Sequence, residues 1–250
     1  MGNVIQSTAQ IEAVSDLARV VRRSKNTRRL LFRGQNIDSP LLPKLARIAQ
    51  RKSIPHKQVN KIERQMLERF QKESVPLLRG RAPANPWEWL SVAQHQGLPT
   101  RLLDWTANAL AGLWFALAAD PAEGDHGVLW VLDVSQENER SPTGTEDIFD
   151  LKRTFVFQPF HIDQRIVSQA AWFSVHRYSE THGKFVPLDQ MGRFKRALNK
   201  YTVPVAKFDV IRRELRLMGV TQASMFPDLS GLCADIQADC IDSWRSLGTI

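Results

Sequence analysis

Apolar residues recur at Ile11, Val14, Leu17, Ala18 and Val21. This is the spacing of one helix face, and it predicts a helix from Ile11 to Ser24 within an N-terminal segment of about residues 9–24. Ser7 or Thr8 stands where a cap would. Arg28 to Phe32 then reads as a short strand entering Arg33-Gly34, and Pro40 and Pro43 mark a loop. Val59, Ile62, Met66 and Phe70 form the stripe of a long amphipathic helix from His56 to Leu78. Acidic and basic residues mix on its other face, as on a packing helix. Arg79-Gly80-Arg81 reads as a basic loop, and Trp87 to Gln96 as a helix broken at Gly97-Leu98-Pro99.

Thr100 to Trp105 predicts a short strand or turn, and Asn108 to Ala119 an apolar helix through Leu110, Leu113, Trp114 and Leu117. Gly127 to Val134 is the clearest strand. Its apolar run is unbroken enough to be buried on both faces. Beyond the polar loop from Glu137 to Glu146, strand-like stretches fall within Arg165–His176, Lys184–Leu188 and Lys200–Val205. Helices follow from Val205 to Met218, closed by Gly219, and from Ser230 to Arg245. Strands and helices alternate without a steady βαβ beat, which predicts an α+β fold.

The 250 residues, 43% hydrophobic and 24% charged, have an ordinary globular composition and length enough for a real core. No apolar run reaches the ~18 residues of a membrane span, and the start lacks a signal-like segment. The expectation is a cytoplasmic protein, a single domain over 1–250 with no membrane partner. Cys233 and Cys240 lie seven residues apart, two helical turns or roughly 10 Å, too far for a disulfide. They read as core or partly buried thiols. The net charge of +8 favours polyanionic partners, either RNA or DNA or an acidic protein.

Two stretches could carry chemistry. In Phe32-Arg33-Gly34, a strand end presents a cation suited to bidentate contact with phosphate or carboxylate, and the glycine lets a ligand or loop approach the backbone. The alternative is an arginine neutralising a buried acid. From Ala93 to Thr106, His95 offers an acid, base or donor, Arg101 and Asp104 are able to pair, Thr100 and Thr106 offer hydroxyls, and Trp105 a stacking face. The alternative makes Asp104 the cap of the helix starting near Thr106, satisfied by Arg101. His161, His176 and His182 are scattered and lack metal-ligand spacing, so no metal is expected.

The Phe32-Arg33-Gly34 run, the block from His95 to Thr106, and Leu113-Trp114-Phe115-Ala116 together resemble the FRG domain family. Arg165 to Gln169, Met225 to Leu229 and Gly231-Leu232 also resemble it, so the likeness runs from about Leu30 to Leu232. This implies a domain associated in bacteria and phages with toxin or phage-defence loci, with an acidic antitoxin or chaperone as a possible partner.

A looser resemblance, to arginine-class ADP-ribosyltransferases, implies a reaction and a mixed, mostly antiparallel central sheet with flanking helices. In that family a first strand ends in an NAD-holding Arg, a second carries a hydroxyl residue before an apolar helix, and a later strand brings a carboxylate. Arg33-Gly34 is similar to the first part, and Thr100 to Thr106 with the following helix to the second. The resemblance implies NAD as substrate, held by Phe32, Arg33, Gly34, Thr100, Arg101, Asp104, Trp105 and Thr106, with Arg33, His95 and Gln169 at the reacting centre. The departure is at the third part. No Glu-x-Glu occurs on a late strand; Gln169 has the right order but is an amide, and Glu180 lies just beyond. Binding of a nucleotide without turnover, or a protein-interaction role, remains the alternative.

Overall fold

The computed structural model describes residues 9–23, 29–78, 82–119, 126–142, 146–160, 167–179 and 183–247. In chain order the elements are β1 (Ala9–Gln10), α1 (Asp16–Arg23), β2 (Arg29–Gln35), α2 (Lys44–Arg51), α3 (His56–Ser74), α4 (Pro86–His95), β3 (Leu102–Thr106), α5 (Ala109–Ala116) and β4 (His126–Val134). There follow β5 (Phe155–Phe157), β6 (Ala171–Val175), β7 (Tyr178–Ser179), β8 (Lys184–Phe185), α6 (Gly192–Lys195), β9 (Leu198–Pro204), α7 (Phe208–Leu217), α8 (Gln222–Met225) and α9 (Leu229–Leu247). The fold is α+β, as expected. No helix among the described residues is long and apolar enough to cross a membrane.

The seven-stranded sheet has the order β1-β9-β4-β2-β3-β6-β5, and β7 pairs only with β8. β1 runs parallel to β9, and the other neighbours in the large sheet are antiparallel. β4 is central, and Val128 to Leu132 are all buried, so the unbroken apolar run has packing on both faces.

The two halves of one sheet face are covered separately. Over β9, β4 and β2, Phe32, Leu129, Val131 and Val203 pack beneath α1, α5 and α7, through Leu17, Leu113 and Ile211. Over β3, β6 and β5, Leu102, Phe173, Phe155 and Phe157 pack beneath α3 and α4, through Leu67, Trp87 and Leu90. On the opposite face Leu31, Trp105, Trp130 and Trp172 meet Leu41, Leu188 and Phe194. The two helical layers leave a furrow where β2 meets β3.

Several expectations change. A helix, α2, follows Pro43 where a loop was read; Leu45, Ala46 and Ala49 form its buried stripe. The first helix begins at Asp16 rather than Ile11, because residues 9–10 pair with β9. Asp104 lies within β3 and caps nothing; Asn108 caps α5, its Oδ1 accepting from the Leu110 and Ala111 N–H groups at 3.0 and 3.4 Å. Cys233 and Cys240 are exposed, not core thiols, because α9 lies on the surface. Its close contact is through Gly231, where a Cβ would fall 1.9 Å from the Phe226 carbonyl oxygen. Ser7, Thr8, Arg79 to Arg81, His161, Arg165, Ile166, Glu180 and His182 lie outside the described residues.

Candidate functional site

The furrow becomes a cleft because β2 and β3 part. They share one register position, Phe32 opposite Thr106. Beyond it Arg33 to Gln35 continue alongside β4, and Trp105 to Leu102 alongside β6. The cleft is about 330 Å³ and is lined by Phe32, Arg33, Gly34, Gln94, His95, Asp104, Trp105, Thr106, Phe115, Gln169, Ala171 and Phe226. The size and the mixture of aromatic walls with a few polar groups suit a small-molecule site.

Strand alternation assigns Arg33 to the face opposite Phe32. Its Nη1 nevertheless donates to the Asp104 carbonyl oxygen at 2.9 Å and lies 3.8 Å from the Asp104 carboxylate. The side chain therefore threads the gap, serving a carbonyl that the parted ladder leaves open. Only 15% of it is exposed. Burial lowers the guanidinium's pKa from its ordinary value, Asp104 raises it, and Arg47 lowers it again. An arginine stays charged through such shifts. Its buried Nε has no hydrogen-bond partner among the described residues.

Asp104 is held from α4. Gln94 Nε2 donates to both carboxylate oxygens, at 3.1 and 3.0 Å. The Gln94 amide is fixed in turn by Thr100, whose hydroxyl donates to Gln94 Oε1 at 2.6 Å and accepts from the Leu102 N–H at 3.0 Å. Thr100 thus stands behind the cleft and orients its wall. His95, next on α4, lines the cleft with its ring edge-on to Phe173 at 5.8 Å.

The outer wall comes from late in the chain. The Thr106 hydroxyl donates to the Gln169 carbonyl at 2.5 Å, and Gln169 Nε2 donates to the Met225 carbonyl at 2.9 Å. Gln169 therefore ties the end of β3 to the end of α8, where Phe226 packs against Trp114 and Phe115 with centroids 5.9 and 6.3 Å away.

Two residues behave differently from expectation. Arg101 does not line the cleft and does not pair with Asp104. It is fully buried, its Nη2 2.6 Å from Glu63 Oε2 and its Nε 2.8 Å from the same oxygen, with Asn60 as a further acceptor at 2.9 Å. Glu63 also accepts from the Arg101 N–H. The physical reason is position: Arg101 precedes β3 and turns inward onto α3, whereas Asp104 faces the parted strand. Gly34 does admit a close approach, but by a helix. A Cβ there would stand 2.1 Å from the Ala116 nitrogen and 2.3 Å from the Gly112 oxygen. A Cβ on Gly112 would likewise meet Phe32, so the two glycines let α5 lie directly on β2.

Sequence reasoning missed Phe115, Ala171 and Phe226 as walls. Phe226 carried a signal, since it stands in the Met225 to Leu229 stretch named for the resemblance. Phe115 carried the same signal, since it stands in the Leu113 to Ala116 run named for the resemblance.

Comparison with curated proteins and with solved structures returned no match. The family model for the FRG domain matches residues 28–125, a range that holds β2, α4, β3 and α5 and leaves Gln169 and Phe226 outside it. The parted strands, the threaded arginine and the glycine contact all fall within that range, so this part of the chain is similar to the FRG domain.

Proposed function

We propose that the cleft binds NAD and that the protein transfers its ADP-ribosyl group to a macromolecule, with RNA or DNA as the acceptor. The observation that carries this reading is Arg33: a guanidinium largely buried at the parting of two strands, its Nε without a partner among the described residues, on a cleft walled by Phe32, Trp105, Phe115 and Phe226. A guanidinium takes a diphosphate by two parallel hydrogen bonds, and aromatic faces take flat rings.

In the reaction the bond from ribose C1′ to the nicotinamide nitrogen breaks, and its electron pair leaves with the ring, which becomes neutral. A new bond forms from C1′ to an oxygen or nitrogen of the acceptor, whose proton passes to a base. Asp104 is the one carboxylate among the described residues lining the cleft. In this reading it takes the part of the missing late glutamate, facing the positive charge that develops at C1′. His95 receives the acceptor's proton. Gln169 keeps a positioning part, because its amide is committed to the Met225 carbonyl.

A second reading, nucleotide binding without turnover, is favoured by one observation: Asp104 lies 3.8 Å from Arg33 and is shared with it. Incubation with NAD labelled in the adenylate, in the presence of cellular RNA, DNA and protein, separates the readings. Transfer predicts label on one class of macromolecule, abolished by Arg33→Gln and by Asp104→Asn. Saturable NAD binding without release of nicotinamide selects the second reading, and absence of NAD binding removes both.

A further inference from the structure

A second groove, of about 270 Å³, shares no residue with the cleft. The segment before β5 supplies Lys152, Arg153 and Thr154, the chain leaving β6 supplies Arg177, and α6 supplies Arg193. Its charge is one-sided. Asp150 pairs with Lys152 at 2.9 Å. Among the described residues, no carboxylate pairs with Arg153, Arg177 or Arg193.

Two of these guanidiniums are held by backbone carbonyls. Arg177 Nη1 donates to the Lys152 carbonyl at 3.1 Å, and Arg193 Nη1 to the Glu137 carbonyl at 3.2 Å. The Arg177 N–H also donates to the Thr154 hydroxyl at 3.0 Å. Such contacts fix direction without neutralising charge, and each guanidinium keeps further donors for a ligand.

We propose that this groove binds the phosphate backbone of a nucleic-acid strand. Three uncompensated arginines and a lysine on one concave surface match closely spaced phosphates. An acidic protein would offer the same charge, but a protein interface brings large exposed apolar residues at its core, whereas nucleic-acid interfaces are strongly positive. The groove's lining includes Val186, Met191 and the buried Phe194, yet none of the large apolar residues exposed on the surface belongs to it, so what it presents outward is the charge of Lys152, Arg153, Arg177 and Arg193. The binding does not depend on the transfer chemistry proposed above.

The test is fluorescence anisotropy of the whole protein with labelled oligouridylate and the matching DNA, roughly 16 nucleotides long to fill one site, across about 50–200 mM salt. Arg153→Glu, Arg177→Glu and Arg193→Glu combined should lower affinity on the order of tenfold or more. The salt slope should fall by about 2, at roughly 0.7 for each single-strand phosphate contact. Arg153→Gln alone removes a guanidinium with no described partner, so it keeps the fold and should weaken binding in the same direction. Arg33→Gln should leave oligonucleotide binding unchanged, and the triple substitution should leave NAD binding unchanged. Affinity and slope unaltered by either groove variant overturn the proposal. So does polyglutamate competing as well as RNA, which would assign the groove to an acidic protein. Oligonucleotide binding without NAD binding in the wild type would sink the transfer reading and leave this one standing.

Discussion

Arg33 and Arg101 stand at the two ends of one problem, how to place a guanidinium near β3. Arg101 is fully buried and its carboxylate partner Glu63 is 1% exposed, with contacts of 2.6 to 2.8 Å. Arg33 meets its carboxylate at 3.8 Å, Asp104 is 55% exposed, and the shorter bond goes to a carbonyl. Each guanidinium keeps one buried nitrogen without a partner among the described residues, Nη1 in Arg101 and Nε in Arg33. The difference is that the first pair is short and sealed from solvent, so its charges are spent on structure, whereas the second is loose and both its groups line a cleft. An ion pair near a functional segment is therefore read by its distance and burial, not by its place in the motif.

Breaking the closed pair should have the largest effect. Arg101→Met strands the Glu63 carboxylate and should cost ~3–5 kcal/mol in urea unfolding. Replacing both partners, with Glu63→Leu, should recover much of that loss, since a well-packed apolar pair often equals a buried ionic one. NAD binding by the folded fraction should not change.

His176 sits within the electrostatic reach of both guanidiniums and supplies the next test. Burial, first, and then the charges of Arg33 and Arg101 hold its pKa down, from 6.5 to about 3, against an opposing backbone hydrogen bond. The folded protein thus favours the neutral ring. Its contribution is complete above pH ~6.5 and is lost as pH falls toward 3, at about 1.4 kcal/mol per unit. Stability should drop by about 2 kcal/mol between pH 6.5 and pH 5, and His176→Gln should remove that part of the slope. A slope unchanged in the variant would mean that the ring is already charged in the fold.

A smaller effect should follow from loosening the open pair's support. Gln94→Ala frees the Asp104 carboxylate at a partly exposed site and should cost about 1 kcal/mol or less of stability. If Asp104 faces C1′, turnover should suffer more than NAD affinity.

Much of this frame was legible in the sequence. The unbroken run of Gly127 to Val134 gave a central strand, and the apolar segment after Asn108 gave a helix on the sheet. Reading the two punctuated segments as one rim brings Arg33, His95, Thr100 and Asp104 together; Arg33, His95 and Asp104 do line one cleft, whereas Thr100 stands behind it, bonded to Gln94. The rest needed three-dimensional contacts. Arg101 and Asp104 look like partners because three residues separate them, but the chain turns Arg101 inward before the strand begins. Cys233 and Cys240 share a helix face, yet which face a surface helix buries depends on what it meets, and α9 approaches its neighbour through Gly231. The aromatic walls Phe115 and Phe226 come from elements far apart in sequence, joined by the Gln169 tie.

The most direct test is Arg33→Gln, followed by calorimetric NAD titration and thermal melting of the same preparation. The account predicts a melting temperature close to the wild type, because the carboxylate left behind is more than half exposed. It predicts NAD affinity lower by roughly two orders of magnitude, from two charged hydrogen bonds at ~1.5–3 kcal/mol each. Arg33→Lys should not restore it, since an ammonium lacks the planar fork. A large fall in melting temperature with unchanged NAD affinity would make Arg33 a second Arg101 and contradict the account.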